Sequence, residues 1–216
     1  MKMTVELRRY NDASYFVATD GDGNGVSIDG SPAVGGQGRV LGGAILGPRE
    51  IIADLRFFAR QTGPALSSFY AWVLSKSLKT LSMRLYRHCE NAHAVARYLR
   101  SHHAVERTRF PFLESHPQYE LARRQMRHGG GLVTIDIVGG EAAAMRFINR
   151  LKVISRSANL GDSRSIATHP RTTTHSKLEE EQRRVLGILP GTVRLAIGLE
   201  NGEDIIADID HALGED

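Results

Sequence analysis

The sequence predicts an α/β fold, and three observations carry that prediction. Beyond Pro111, segments of helical period take turns with short stretches in which apolar and polar residues alternate. Residues 67–110 contain neither Gly nor Pro, and apolar residues recur there every three or four positions. Glycines cluster where the period changes, above all at Gly129-Gly130-Gly131, which puts the turns between elements.

Taken in order, residues 1–35 are rich in Gly, Asp, Ser and Asn and are expected to form a divergent, weakly ordered leader. Its one apolar piece, Tyr15-Phe16-Val17-Ala18, reads as a strand or hairpin arm. Gly36–Gly47 is a glycine-rich turn leading into a short buried strand, Val40–Leu46. Pro48 suits the first position of a helix that continues over Arg49–Gln61 and stops at Gly63-Pro64. Ser67-Ser68 caps a longer helical region. Within it Leu78, Leu81, Leu85, Cys89, Ala92, Val95 and Leu99 form one buried stripe, with a bend expected near Ser75–Lys79. Arg84, Arg87, Glu90 and Arg97 fall on the other faces. Further on, helices are expected at Gln118–His128, Glu141–Leu151, Leu178–Leu186 and Glu203–Leu213, the last capped by Gly214. Strands are expected at Leu132–Val138, Lys152–Ser155 and Thr192–Gly198.

A chain of 216 residues with 41% hydrophobic and 24% charged residues has the make-up of a soluble globular protein. No apolar run approaches the roughly 20 residues that span a bilayer, and no signal-peptide core is visible. The single cysteine, Cys89, suits a reducing compartment, and the chain reads as cytoplasmic. A net charge of +4 raises the question of nucleic acid. The two basic patches, Arg84–Arg109 and Arg123–His128, are not interleaved along the sequence with aromatics, so solvated helix faces and subunit contacts are the expected reading, with no nucleic acid and no membrane as partner.

Among candidate functional residues, Arg194 stands out. It alternates with Val193, Leu195 and Ile197, so its guanidinium points away from their core face. A planar fork there can grip a carboxylate by two parallel hydrogen bonds, or form a salt bridge with an acid of its own domain. Asn159-Leu160-Gly161 offers polar and backbone groups, or merely a turn. His169 and His175 flank a Thr-rich loop without a third ligand at suggestive spacing, and His88, His93, His102 and His103 read as surface residues. Asp20-Gly21-Asp22-Gly23-Asn24-Gly25 matches the first half of a calcium loop, but Ser31 stands where a bidentate Glu belongs, so a Gly/Asp turn and no metal site is expected.

Several stretches, in order, resemble the pyridoxal-phosphate (PLP) transsulfuration enzymes of Cys/Met metabolism, closest to the O-succinylhomoserine sulfhydrylase branch. Gly36–Gly47 is similar to the segment after the family's Schiff-base lysine. The others are Leu55–Pro64 with Ser68–Trp72, Leu78–Arg84, Ser115–Ala122, Asn159–Ser165 followed by Thr168-His169-Pro170, and Val193–Glu200. Tyr70 departs from the branch, which has Asn there. The resemblance implies the C-terminal part of a fold type I PLP-dependent transferase. Residues 36–105 would be a remnant of the large PLP-binding domain and residues 106–216 the small α/β domain.

It also implies roles and losses. Arg194 would hold the amino acid's α-carboxylate, with Asn159 and Leu160 beside it in the substrate site. The lysine that holds PLP as an imine would fall at Pro32, and an aspartate four residues before the landmark Arg39 corresponds to Gly35. Neither residue can do that chemistry. The aspartate that pairs with the pyridinium nitrogen and the phosphate cup are not visible either, so no catalytic residue is assigned, cofactor-binding residues are unknown, and PLP binding is not expected. The ancestral reaction would be sulfide addition to O-succinylhomoserine, giving homocysteine, with the chain inactive alone. The alternatives are a non-catalytic partner of a full-length homologue, in a homo- or hetero-oligomer, and the product of a decayed gene.

Overall fold

The computed structural model describes residues 47–63 and 66–214, together with the backbone of four short strands ahead of them. Those are β1 (Arg9–Tyr10), β2 (Ala13–Ser14), β3 (Phe16–Thr19) and β4 (Gly25–Ile28). β1 pairs antiparallel with β2, and β3 with β4, so the apolar piece of the leader is a hairpin arm. Pro32, Gly35, the Val40–Leu46 segment and most of the Asp20–Gly25 loop lie outside the described residues.

The chain divides into two units, residues 1–79 and 80–216. In the first, α1 (Arg49–Thr62) ends at Gly63, whose φ of 81° is the left-handed cap that only glycine takes without strain. α2 (Ser68–Leu78) starts on the Ser67 hydroxyl, which accepts from the Tyr70 N–H at 3.2 Å. α1 buries no residue and α2 only Ser77, although both carry large apolar side chains.

The second unit opens with α3 (Leu81–Arg100), the helix of α2 having ended at Leu78. The apolar stripe is only half realised. Ala92, Val95 and Leu99 are fully buried, whereas Leu85 is exposed and Arg84, His88 and Asn91 are buried instead. The inward face is thus polar in its first half, and His88 is no surface residue: its Nδ1–H donates to the Ile197 carbonyl at 2.5 Å. The helix stops at Arg100, one residue past the last position of the expected stripe, and β5 (Val105–Arg109) follows. This polar run is held as a strand by antiparallel pairing with its neighbour.

The remaining elements are α4 (Tyr119–Gln125), β6 (Leu132–Ile137), α5 (Gly140–Arg150), β7 (Ser155–Arg156), β8 (Ile166–Thr168), α6 (Glu180–Val185), β9 (Thr192–Ala196) and α7 (Gly202–Leu213). The five-stranded sheet runs β5-β6-β9-β8-β7, antiparallel except for the β7–β8 pair. Lys152-Val153-Ile154, expected as strand, are instead taken by Asp208 of α7, whose carboxylate accepts from all three backbone N–H groups at 2.8–3.0 Å. A carboxylate gathering three donors competes successfully with a sheet ladder.

α3, α5 and α7 cover one sheet face, and there Val133, Ile135, Val193 and Leu195 meet Leu99, Phe147, Ile205 and Ile209 in one core. The opposite face is polar, because residues directly paired across strands share a face. No described helix is long and apolar enough to cross a membrane.

Candidate functional site

The polar face is laid out in two rows by strand register. One row pairs Arg109, Thr134, Arg194 and Thr168 across β5, β6, β9 and β8. The next pairs Arg107, Asp136 and Thr192. Strand spacing separates the backbones of Arg109 and Arg194 by about 10 Å.

Arg194 is half-buried, with Val193 and Leu195 fully buried on the opposite face. Its Nη2 donates to the Ala158 carbonyl at 2.9 Å and the Asn159 carbonyl at 3.1 Å, with the Thr168 hydroxyl at 3.4 Å. Its Nε is buried and has no hydrogen-bond partner among the described residues. No carboxylate pairs with it there, and burial alone pushes its pKa below the usual guanidinium value. Arginine remains a cation at neutral pH even so. The salt-bridge alternative therefore finds no acid among the described residues, and the guanidinium is oriented through Nη2 by neutral carbonyls, with its buried Nε left over.

The structure brings Asn159 to Arg194 through its backbone carbonyl; the Asn159 N–H meets the Ser157 hydroxyl at 3.2 Å and its side chain is exposed. Leu160 follows in the same turn, half-buried, ahead of Gly161 at φ 76°. Thr168 was not proposed as a site residue from sequence, yet its hydroxyl reaches Arg194 from a three-residue strand too short for period to announce.

Asp136 was also missed. Its side chain is 2% exposed and accepts from Arg107 Nε and Nη2 and Arg109 Nη2, all at 2.8 Å, and from the Thr192 hydroxyl at 2.5 Å. Arg109 also donates to the Gly187 carbonyl at 2.8 Å. Burial lowers the Arg109 pKa, opposed by Asp136 and reinforced by Arg107. The signal was available: Thr134 and Asp136 are the polar members of an alternating strand.

His169 is buried and spent on structure, with Nδ1 2.9 Å from the Thr172 hydroxyl and Nε2 donating to the Pro190 carbonyl at 2.9 Å. His175 meets the Thr174 hydroxyl next to it. No cluster able to hold a metal ion occurs among the described residues. The cofactor implied by the resemblance needs an amine held in a pocket, and the lysines within the described residues, Lys76, Lys79, Lys152 and Lys177, are all exposed. The described residues do not fit a covalently held PLP.

The chain is 46% identical over 193 residues to O-succinylhomoserine sulfhydrylase of Mycobacterium tuberculosis, covering 87% of this chain and 48% of that protein. It is 41% identical over 180 residues to L-methionine gamma-lyase of Treponema denticola, covering 82% of this chain and 45% of the relative. Among solved structures, cystathionine gamma synthase from Xanthomonas oryzae pv. oryzae, in complex with aminoacrylate and cysteine, matches with a TM-score of 0.81 at 34% identity, covering 86% of this chain and 49% of that one. Cystathione gamma lyase from Micromonospora echinospora matches with a TM-score of 0.84 at 28% identity, covering 90% and 51%. The α/β architecture is thus that of half a fold type I transsulfuration enzyme, and the chain spans about half the length of the curated relatives it matches. With residues 31–214 matching its profile, the chain belongs to the Cys/Met metabolism PLP-dependent enzyme family.

Proposed function

We propose that this chain is the carboxylate-gripping C-terminal portion of an O-succinylhomoserine sulfhydrylase-like enzyme, and that it does not turn over substrate alone. The ancestral reaction is replacement of the succinyl ester of an activated homoserine by sulfide, giving homocysteine. One observation carries the reading: the buried Nε of Arg194 has no partner among the described residues while Nη2 is already oriented. An amino acid's α-carboxylate approaching edge-on would accept from Nε and the adjacent Nη as two parallel charge-assisted bonds. The Asn159–Leu160 turn would close one side of that carboxylate. PLP, when bound in the family, supplies the electron sink for the chemistry. Pro32, at the place of the family's lysine, and the exposure of the lysines among the described residues argue against its being held as an imine.

Two measurements test this. Arg194 Nε–H should shift in NMR titrations with O-succinylhomoserine, and the shift should vanish in Arg194→Lys. Borohydride reduction after mixing with PLP should leave no stoichiometric label on any one lysine. A single labelled lysine together with sulfide-dependent turnover would overturn the inactive reading.

A second reading has its own observation. Phe57, Phe58, Phe69 and Trp72 of α1 and α2 are all more than half exposed, and apolar surface of that extent marks an interaction face. A non-catalytic partner of a full-length homologue would use it. Co-purification with such a homologue, lost in Phe69→Glu, supports this reading, and a monodisperse monomer at high concentration opposes it.

A further inference from the structure

The two basic patches that looked unremarkable along the sequence converge in space. A cleft of about 330 Å³ opens between α3 and the segments on either side of α4, lined by Tyr86, His93, Arg97, Phe112 and His128. Arg123, from the second patch, sits over the Phe112 ring with its guanidinium carbon 5.0 Å from the centroid. Tyr86 and His128 meet edge to face at 5.2 Å. The His93 pKa is lowered by burial and then by the charges of Arg97 and Arg123. Neither arginine forms an ion pair among the described residues, and the one acid in the lining, Glu90, faces Arg87 at 3.9 Å.

The fold brings Phe112 and His128 to the cations, beside Tyr86, which lies between Arg84 and Arg87 in the sequence. Rings offer stacking surface to a planar group, and two guanidiniums without an ion pair among the described residues, Arg97 in the lining and Arg123 over Phe112, offer donors to an oxyanion. The cleft lies within the size range of small-molecule sites, roughly 300–1,000 Å³. Its residues belong to α3 and the α4 region, apart from the strands that carry Arg194. We propose that this cleft is a second binding site, for a planar heteroaromatic monophosphate of mononucleotide size, with the ring on Phe112 and Tyr86 and the phosphate held by Arg97 and Arg123.

Adenosine 5′-monophosphate is the probe, titrated into the full chain by saturation-transfer NMR. Saturable binding is expected, weakened about tenfold or more in the Arg97→Gln/Arg123→Gln double variant. Adenosine and inorganic phosphate should each bind about tenfold more weakly than the nucleotide. Cys89 lines the same cleft, so the nucleotide should slow alkylation of this single cysteine by a small maleimide. Both arginines are exposed, so the urea midpoint should not move, and Arg194→Lys should leave the binding intact. Absence of saturation together with unprotected Cys89, or equal affinity in the double variant, would overturn the proposal. So would a short single-stranded oligonucleotide that binds far more tightly than the nucleotide with a steep salt dependence, which would make the cleft a nucleic-acid contact.

Discussion

Arg194 and Arg109 stand in the same register row of one sheet face, two strands apart, and the chain treats them in opposite ways. Arg109, with Arg107, faces a buried carboxylate from its own sheet, Asp136, and that acid is saturated by two guanidiniums and a hydroxyl. Arg194 faces carbonyls and a threonine, with no acid among the described residues. The first arrangement is a finished structural cluster. The second is half of one, with the buried Arg194 Nε left without a partner among the described residues. A half-buried cation without a counter-ion costs stability, and such costs concentrate where a molecule is to be bound.

The largest effect should come from breaking the finished cluster. Asp136→Asn keeps the shape but leaves two guanidiniums facing a neutral amide, and stability should fall by about 3 kcal/mol. A shift of the urea midpoint measures it; a loss below about 1 kcal/mol would mean that Arg107 escapes to solvent and the cluster is not what holds β5 to β6.

Next in size is the fixing of the strand that carries Arg194. Just beyond β9, a Cβ on Gly198 would fall 2.5 Å from both the Arg164 carbonyl carbon and the Ser165 nitrogen, so backbone must move. The same point is held by Asn91 Nδ2, which donates to the Gly198 and Glu200 carbonyls at 3.0 and 2.9 Å, and by the Ser165 hydroxyl, which accepts from the Gly198 N–H at 2.8 Å. Gly198→Ala should cost about 2 kcal/mol in the same urea experiment and weaken carboxylate binding at Arg194 along with it. Retained binding in a destabilised variant would show that the arginine's position does not depend on this junction.

Arg194→Met is the sharpest contrast with Asp136→Asn. Removing a cation that has no acid partner should change stability by less than about 1 kcal/mol, in either direction. A loss as large as that of Asp136→Asn would make Arg194 a structural residue like its neighbour and end the distinction between them.

This contrast also marks what the sequence could convey. Arg194 was legible because its strand is regular: Val193 and Leu195 alternate with it and are fully buried. α5 and α7 were legible for the same reason, since each buries one clean stripe. Asp136 was legible as a polar member of its strand but not as the centre of a cluster, because nothing local tells a strand carboxylate that Arg107 and Arg109 will arrive opposite it from 29 and 27 positions away. α3 misled in its first half, where the buried groups are Arg84, His88 and Asn91. Their burial is offset by carbonyls and other groups that only the fold supplies, as His88 with Ile197 illustrates. Periodicity reports apolar burial well and is blind to polar burial that depends on long-range partners.

The smallest effect concerns a third kind of charged contact, an exposed one. The Tyr98 hydroxyl donates to Asp210, which also lies 3.6 Å from His102 Nε2. The phenol pKa is pushed up to about 12 by burial, then by this hydrogen bond and the Asp210 charge, while the bond from Tyr98 chiefly holds the Asp210 carboxyl below its usual value. A raised phenol pKa in the folded state means that the unfolded chain ionises first. The stabilisation is complete below the ordinary value of 10.0 and is lost as pH rises from there towards about 12. The Asp210 contribution runs the other way, being present above the ordinary value of 3.8 and lost as pH falls below it. Tyr98→Phe should flatten both limbs, read as urea midpoints at about pH 9, about pH 11 and about pH 3. Because both groups face solvent, the change should be far smaller than that of Asp136→Asn. An alkaline limb that persists in Tyr98→Phe would assign it to another phenol, and an equal loss at all three pH values would mean that Tyr98 acts by packing against α7 and not through its proton.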